Sequence, residues 1–247
     1  MASISTTDAY KAATIPLAAL TAAVVLYRDL ELPPPWSLAQ EPVPLVIYGA
    51  SSAVGAFTVK FALKSNIHPI IAIAGKSKDL VRSLIDPSQG DVVLDYRDGA
   101  EPLITDVQQH IQRLGLQGVK YAFDTIANST SVELVARLVQ PGGHLNVISP
   151  RRDCSAVPAN VKTSAAFVGV VHGQAFPPND TIKHTATGNG ADFGYIFSRL
   201  FTRGLEEGWL TGHPFEVWAG GLNDISEALR NMQDGKVSGK KYVFKIA

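Results

Sequence analysis

Pro44–Ala62 reads PLVIYGASSAVGAFTVKFA, and the fold can be argued outward from it. Leu45, Val46, Ile47 and Tyr48 form an apolar, β-prone run. Gly49 to Ala53 follow as a loop of small residues. Val54, Phe57, Thr58, Phe61 and Ala62 then recur at the spacing of one helix face. A strand, a small-residue turn and a helix together offer a phosphate backbone N–H groups and the positive end of a helix. Bulky side chains would hold the anion off, which explains a loop of Gly, Ala and Ser. Against the pattern G-x-G-x-x-G, Gly55 stands at the third glycine, where a helix packs closely on its strand. Ala50 and Ser52 occupy the first two positions. Alone, such a loop fits a phosphate site or a ligand-free structural turn.

The surrounding chain favours the first reading. After residue 44, short apolar runs alternate with helical patterns: strands at Pro69–Ala74, Val92–Asp95, Val119–Phe123 and His144–Ile148, the last introduced by Pro141-Gly142-Gly143. Helices are expected at 78–85, 103–114, 132–139, 193–207 and 223–232, with Asn223 or Asp224 capping the last. Val- and Ile-rich runs without alternation suit a parallel sheet covered on both faces. The β-α-β rhythm therefore predicts an α/β fold with a doubly wound parallel sheet. Ala165–Val171 is a further strand candidate, and Lys241–Ile246 alternates like a half-buried strand. Residues 150–160 and 172–192 are rich in Pro, Gly and polar side chains and read as surface loops. Upstream, residues 1–11 are polar and loosely attached, Leu17–Tyr27 is an Ala-rich helix begun by Pro16, and five prolines make residues 31–44 a connector. The chain divides into an N-terminal helix and connector (1–43), a nucleotide-binding unit (44–208) and a C-terminal helix and strand (209–247).

With 247 residues, 46% of them hydrophobic, the chain can build one large domain or a domain with an appendage. A formal net charge of zero gives no reason to expect capture of nucleic acid or of an acidic membrane. Cys154 is the single cysteine, which excludes an internal disulfide and fits a reducing, cytoplasmic setting. The apolar run Ala12–Tyr27 is short for a membrane span and lacks a basic flank, so it reads as a buried or amphipathic helix. Metal-ligand spacing of the H-E-x-x-H kind is absent, as are a G-x-S-x-G elbow and a G-x-x-x-x-G-K-[ST] loop. Asp124, at a strand end, reads as a cap for the following turn.

The end of the second strand distinguishes the two nicotinamide dinucleotides. NAD needs a carboxylate there for the ribose hydroxyls, whereas this chain reads Ala74-Gly75-Lys76-Ser77-Lys78, with no acid before Asp79. Two ammonium groups and a hydroxyl suit a 2′-phosphate, pointing to NADPH. Solvated loop charges are the alternative reading of Lys76 and Lys78.

Several stretches together resemble the medium-chain dehydrogenase/reductase superfamily, and within it the fungal group that includes the trans-acting enoyl reductases of polyketide synthases. They are Ala12-Ala13-Thr14 through Leu20-Thr21-Ala22-Ala23 to Tyr27, Tyr48–Gly55, Leu94-Asp95-Tyr96-Arg97, Pro141-Gly142-Gly143 and Gly235–Lys240. The likeness runs from about residue 10 to the end.

That resemblance implies a Rossmann fold in which Ser51, Ser52, Ala53 and Val54 hold a pyrophosphate. Gly75, Lys76, Ser77 and Lys78 would surround the 2′-phosphate, with Tyr96 against the adenine end. Ile148 and Ser149 would border the nicotinamide, while Gly239 and Lys240 close over the cofactor. Thr21 would face the reacting centre as the catalytic candidate; capping a turn is its alternative role, as simple packing is for Tyr96. Ala19 and Leu20 stand where zinc-dependent members carry a cysteine, so the likeness is to the zinc-free branch. It implies hydride delivery to an activated C=C of a small molecule or acyl thioester, with quinone reduction as the alternative. Members normally begin with a GroES-like domain that this sequence does not show. An inactive NADPH-binding module is therefore a third reading, and the apolar residues Trp209, Phe215, Val217, Trp218, Tyr242 and Phe244 need another partner or stay exposed. A homodimer through the strand expected at 165–171 is also implied.

Overall fold

A computed structural model describes residues 6–149, 153–173 and 189–246. Two helices open the chain, α1 (Thr6–Ala13) and α2 (Pro16–Ala23), and α2 runs on through one π-helical turn, Val24–Asp29. Residues 6–11 are thus helical, where loose attachment was expected. Pro16 occupies the first turn of α2, as its fixed φ and missing N–H allow.

The connector leads to β1 (Leu45–Tyr48), α3 (Ala53–Lys64), β2 (Ile70–Ala74), α4 (Lys78–Arg82), β3 (Val92–Asp95), α5 (Ala100–Arg113), β4 (Val119–Asp124), α6 (Ser129–Leu138), β5 (Val139–Val147) and β6 (Lys162–Ala165). These six strands form one parallel sheet in the order β3-β2-β1-β4-β5-β6. The order reverses beside β1, and in such sheets ligands bind at the strand C-termini next to that reversal.

Alternate residues of the central strands feed two cores. Leu45, Ile47, Ile70, Ala72 and Phe123 face α2, α3 and α7 (Gly190–Glu206), with Phe57, Phe61 and Phe197 packed among them. Val46, Ile71, Ile73, Ala122 and Leu145 face α5 and α6. Both faces are therefore covered, and each fully buried Phe or Ile contributes roughly 1.5–3 kcal/mol. α2 reaches this core because Ala18, Ala19, Ala22 and Ala23 let its backbone lie close to α3.

Three expectations are corrected. Of the strand expected at 165–171 only Ala165 lies in one, as the last residue of β6, and Val168–His172 coils into a 3-10 turn in which Val170 and Val171 pack on Val24. A β-branched run satisfied a strand pattern, but burial against α2 decided its conformation. The strand expected at 165–171 is therefore not formed beyond Ala165. Second, β5 begins at Val139, so the Pro141-Gly142-Gly143 bend lies within it. Third, α7 begins at Gly190, before the expected 193. Most of the loop expected at 172–192 and residues 150–152 lie outside the described residues.

Past α7 come β7 (Phe215–Trp218), α8 (Ile225–Gln233) and β8 (Lys241–Phe244). β7 and β8 pair in parallel as a separate ribbon. There Trp218 packs edge-on to Tyr242 and tilts on Phe244, Phe215 lies by Tyr10, and Trp209 meets Phe61. Val217 stays exposed, as do Leu229 and Met232 on α8. Among the described residues no helix is long and apolar enough to cross a membrane.

Candidate functional site

The turn from β1 into α3 is held from two sides. Ile73 O, on β2, accepts the N–H groups of Gly49 and Ala50, both at 3.0 Å. Ser52 caps α3: its hydroxyl accepts from Gly55 N at 3.0 Å, and its own N–H goes to Gly49 O at 2.8 Å. On the other side, Thr125 Oγ1 donates to Tyr48 O (2.9 Å) and Gly49 O (3.0 Å) and meets Ser52 Oγ at 2.9 Å. The N–H groups of Ser51, Ala53 and Val54 have no acceptor among the described residues. Three amides without an acceptor among the described residues thus lie at the start of a 12-residue helix, where partial positive charge collects.

Two glycines make the approach possible. Gly49 has φ +75°, and a Cβ there would stand 2.5 Å from Thr125 Oγ1. A Cβ on Gly55 would strike the Gly49 carbonyl oxygen and come within 2.8 Å of Ala50 Cα. Gly55 is therefore where α3 lies closest to the turn, the role expected of a third glycine.

In front of the turn lies a groove of about 380 Å³, bordered by Ser51, Ser52, Gly75, Lys76, Tyr96 and Gly239. Tyr96 leans over Gly75, where a Cβ would stand 2.6 Å from the ring, and sits 5.9 Å from the Tyr48 ring. Ile126 and Asn128, from the start of the β4–α6 connection, also line it. Asn128 spends its carbonyl oxygen on capping α6, accepting from Ser131 N at 2.7 Å. No acidic side chain lines the groove among the described residues.

Lys78 does not reach it. Its Nζ donates to Asp95 Oδ2 at 3.0 Å, and Asp95 also takes Arg97 in two side-chain hydrogen bonds of 2.9 and 2.6 Å. The Arg97 guanidinium holds the Asp95 carboxyl well below the usual carboxylate range. Ser77 shares a hydrogen bond of 2.8 Å with Ser238, so it too is engaged, and Lys76 is the cation left exposed at the rim.

A second compartment, of about 510 Å³, adjoins the first at Ser51, Ser52 and Gly239 and runs past Ala53 and Lys240 between α3 and α8. Its walls are mainly apolar, Leu229, Met232 and Phe244 among them. Lys240 forms an ion pair with Glu216. His213, almost fully buried, also lines it beside Gly239, and its Nε2 has no partner among the described residues. Burial, helped by Lys60 and Lys241, lowers its pKa to about 4, so the ring is neutral.

Of the remaining expected residues, Ile148 continues β5, donating its N–H to Asp124 O at 2.9 Å, and Ser149 follows it. Neither lines the two compartments, although both lie at the C-terminal end of the sheet. Thr21 sits within α2, buried, its hydroxyl donating to Leu17 O at 2.7 Å. Asp124 caps the following turn as expected: Oδ1 accepts from Ile126 N and Ala127 N, and Oδ2 from Ser131 Oγ. Thr125, Asp95 and His213 were not singled out from sequence. For Thr125 the signal was available in principle, since it is the residue after the strand that neighbours β1.

No sequence profile of a known family matches the chain. It is 39% identical over 211 residues to the trans-enoyl reductase fsr4 of Gibberella fujikuroi, an alignment covering 84% of this chain and 57% of that protein. Superposition on CurK enoyl reductase gives a TM-score of 0.65 at 20% identity, covering 92% of this chain and 59% of that one. On a putative NADPH:quinone reductase from Bacillus thuringiensis the TM-score is 0.68 at 18% identity, covering 96% and 64%. The chain thus spans about three-fifths of the length of these proteins.

Proposed function

We propose, because this chain is a trans-enoyl reductase-like member of the medium-chain dehydrogenase/reductase superfamily, that it binds NADPH and serves reduction of an activated carbon–carbon double bond. The observation that carries this reading is the set of amides at Ser51, Ala53 and Val54, without acceptors among the described residues, beside a groove whose rim holds Lys76 and, among those residues, no carboxylate. A nicotinamide dinucleotide follows from the family; the preference for the phosphorylated form rests on that rim.

The residues fit the cofactor as follows. The amides of Ser51, Ala53 and Val54 would donate hydrogen bonds to the diphosphate, which the bare backbone at Gly55 allows by letting α3 start so close to β1. Lys76 would meet the 2′-phosphate as a point charge, with Gly75 and Tyr96 bounding the adenosine. Gly239, against Ser77, would close the groove from the C-terminal segment. When bound, NADPH supplies a hydride from its nicotinamide ring. Ile148, Ser149 and the tip of β4 would border that ring, and donors near it would stabilise negative charge on the acceptor's carbonyl. Thr21 can be such a donor only after its hydroxyl leaves Leu17 O. An enoyl thioester or enone is the preferred acceptor.

Fluorescence titration with NADPH and NADH, followed by enoyl thioesters, enones and quinones while the nicotinamide absorbance is followed, tests the reading. Tighter binding of NADPH and oxidation by an enoyl acceptor are expected. Turnover with quinones alone would transfer the assignment to a quinone reductase, binding without turnover would leave a nucleotide-binding module, and no binding would overturn the proposal.

A further inference from the structure

The hydroxyls of Ser52 and Thr125 form a one-way chain of hydrogen bonds. Thr125 has one hydroxyl hydrogen, shared between Tyr48 O at 2.9 Å and Gly49 O at 3.0 Å. The 2.9 Å contact between the two hydroxyls must then be donated by Ser52. Ser52 Oγ in turn accepts from Gly55 N at 3.0 Å. The order is Gly55 N–H to Ser52, Ser52 O–H to Thr125, and Thr125 O–H to the two carbonyls that end β1. Hydrogen bonds aligned in this way polarise and strengthen one another.

We infer that Thr125 is the positioning residue of the phosphate-binding turn: it draws the Ser52 hydroxyl inward and leaves the amides of Ser51, Ala53 and Val54 as the turn's free donors. The inference rests on the dinucleotide reading above. Thr125 is buried and its own N–H also goes to Tyr48 O, at 3.0 Å, so it joins the end of β4 to the end of β1 behind the turn. Its position demands glycine opposite, because a Cβ on Gly49 would stand 2.5 Å from Thr125 Oγ1. Ser52, whose one hydroxyl hydrogen is committed to Thr125, has none to give a phosphate. With Thr125 lost, that hydrogen is released, and the turn is free to rotate its amides away from one another.

The test measures NADPH and NADH dissociation constants for the wild type and for Thr125→Val, Thr125→Ser and Ser52→Ala, with Thr125→Val/Ser52→Ala as the double variant. Thr125→Val is expected to weaken both nucleotides by the same factor, about tenfold, the worth of one hydrogen bond at a buried site. The ratio of the two constants should not move, since the 2′-phosphate lies elsewhere. Thr125→Ser, which keeps the hydroxyl, should bind within about twofold of wild type. The double variant should be no weaker than the weaker single one, because both hydroxyls act through one chain. Unchanged binding by Thr125→Val, an altered NADPH-to-NADH ratio, a serine variant as weak as the valine one, or additive losses would each overturn the inference. A wild type that binds neither nucleotide refutes the dinucleotide reading itself, and a wild type that binds while Thr125→Val binds equally refutes only the role of Thr125.

Discussion

Gly55, in the first turn of α3, lies against the carbonyl oxygen of Gly49 so closely that one added methyl group would collide with it. Residue 55 therefore sets how near the positive end of α3 comes to the groove. Gly55→Ala should push the helix outward and destabilise the protein by about 1–3 kcal/mol, the usual range for overpacking. Thermal unfolding should register this as a Tm lower by several degrees, and nucleotide affinity should fall for NADPH and NADH alike. A variant with wild-type Tm would show that α3 is not seated there.

Selectivity should respond at Lys76. Lys78 is bound to Asp95 and Ser77 to Ser238, so Lys76 is the cation available at the rim. Lys76→Glu is expected to weaken NADPH by about 1–3 kcal/mol, the scale of a lost charge-assisted hydrogen bond, with little change for NADH. Ser77→Asp should shift the two constants in the same sense. Equal losses for both nucleotides, by fluorescence titration, would remove this corner from the 2′-phosphate site.

The ion pair of Lys240 with Glu216 holds that lysine away from the groove. Glu216→Gln should release it and tighten NADPH binding at low ionic strength, with the gain vanishing as salt screens it. Salt-independent affinity in the variant would show that Lys240 does not reach the nucleotide.

Stability should depend on pH through two buried groups with opposite signs. Asp29 is pushed up to about 7, chiefly by burial. Between the ordinary carboxylate value and 7 the unfolded chain has lost this proton and the folded one keeps it, so the contribution falls as pH rises. His213 is lowered to about 4, again chiefly by burial. Between 4 and the ordinary imidazole value the unfolded chain holds the extra proton, so that contribution is lost as pH falls. Each amounts to roughly 3–4 kcal/mol at most, and across pH 4–6.5 they nearly cancel. Asp29→Asn keeps a partner for Asn146, which donates to Asp29 at 3.1 Å, and should unmask the His213 limb. Denaturant titrations should then show stability rising by about 2–3 kcal/mol from pH 4.5 to 7, where the wild type is nearly flat. A flat profile in the variant would refute the His213 assignment.

How far the sequence could be read depended on whether the deciding force was local. β1 to β5 and the helices between them were legible because each strand contains a short apolar run, fully buried in β1 and β2. Gly55 was legible because a helix cannot seat itself so close with any other residue. Val168–His172 was misread, since a run of valines satisfies a strand pattern whether it pairs with β5 or packs on Val24. β7 and β8 were half-read: the alternation of β8 showed, its parallel partner 26 residues upstream did not.

Pattern and composition alone determined the doubly wound sheet, the small-residue turn and the missing carboxylate after β2, because periodicity and side-chain size are properties of neighbouring residues. Only the tertiary structure decided that Asp95 would take Lys78, that Thr125 would occupy the Ser52 hydroxyl, and that His213 would lie neutral beside Gly239. Those outcomes depend on which strand ends meet, and a hydrogen bond across 73 residues leaves no trace in the local order of the chain.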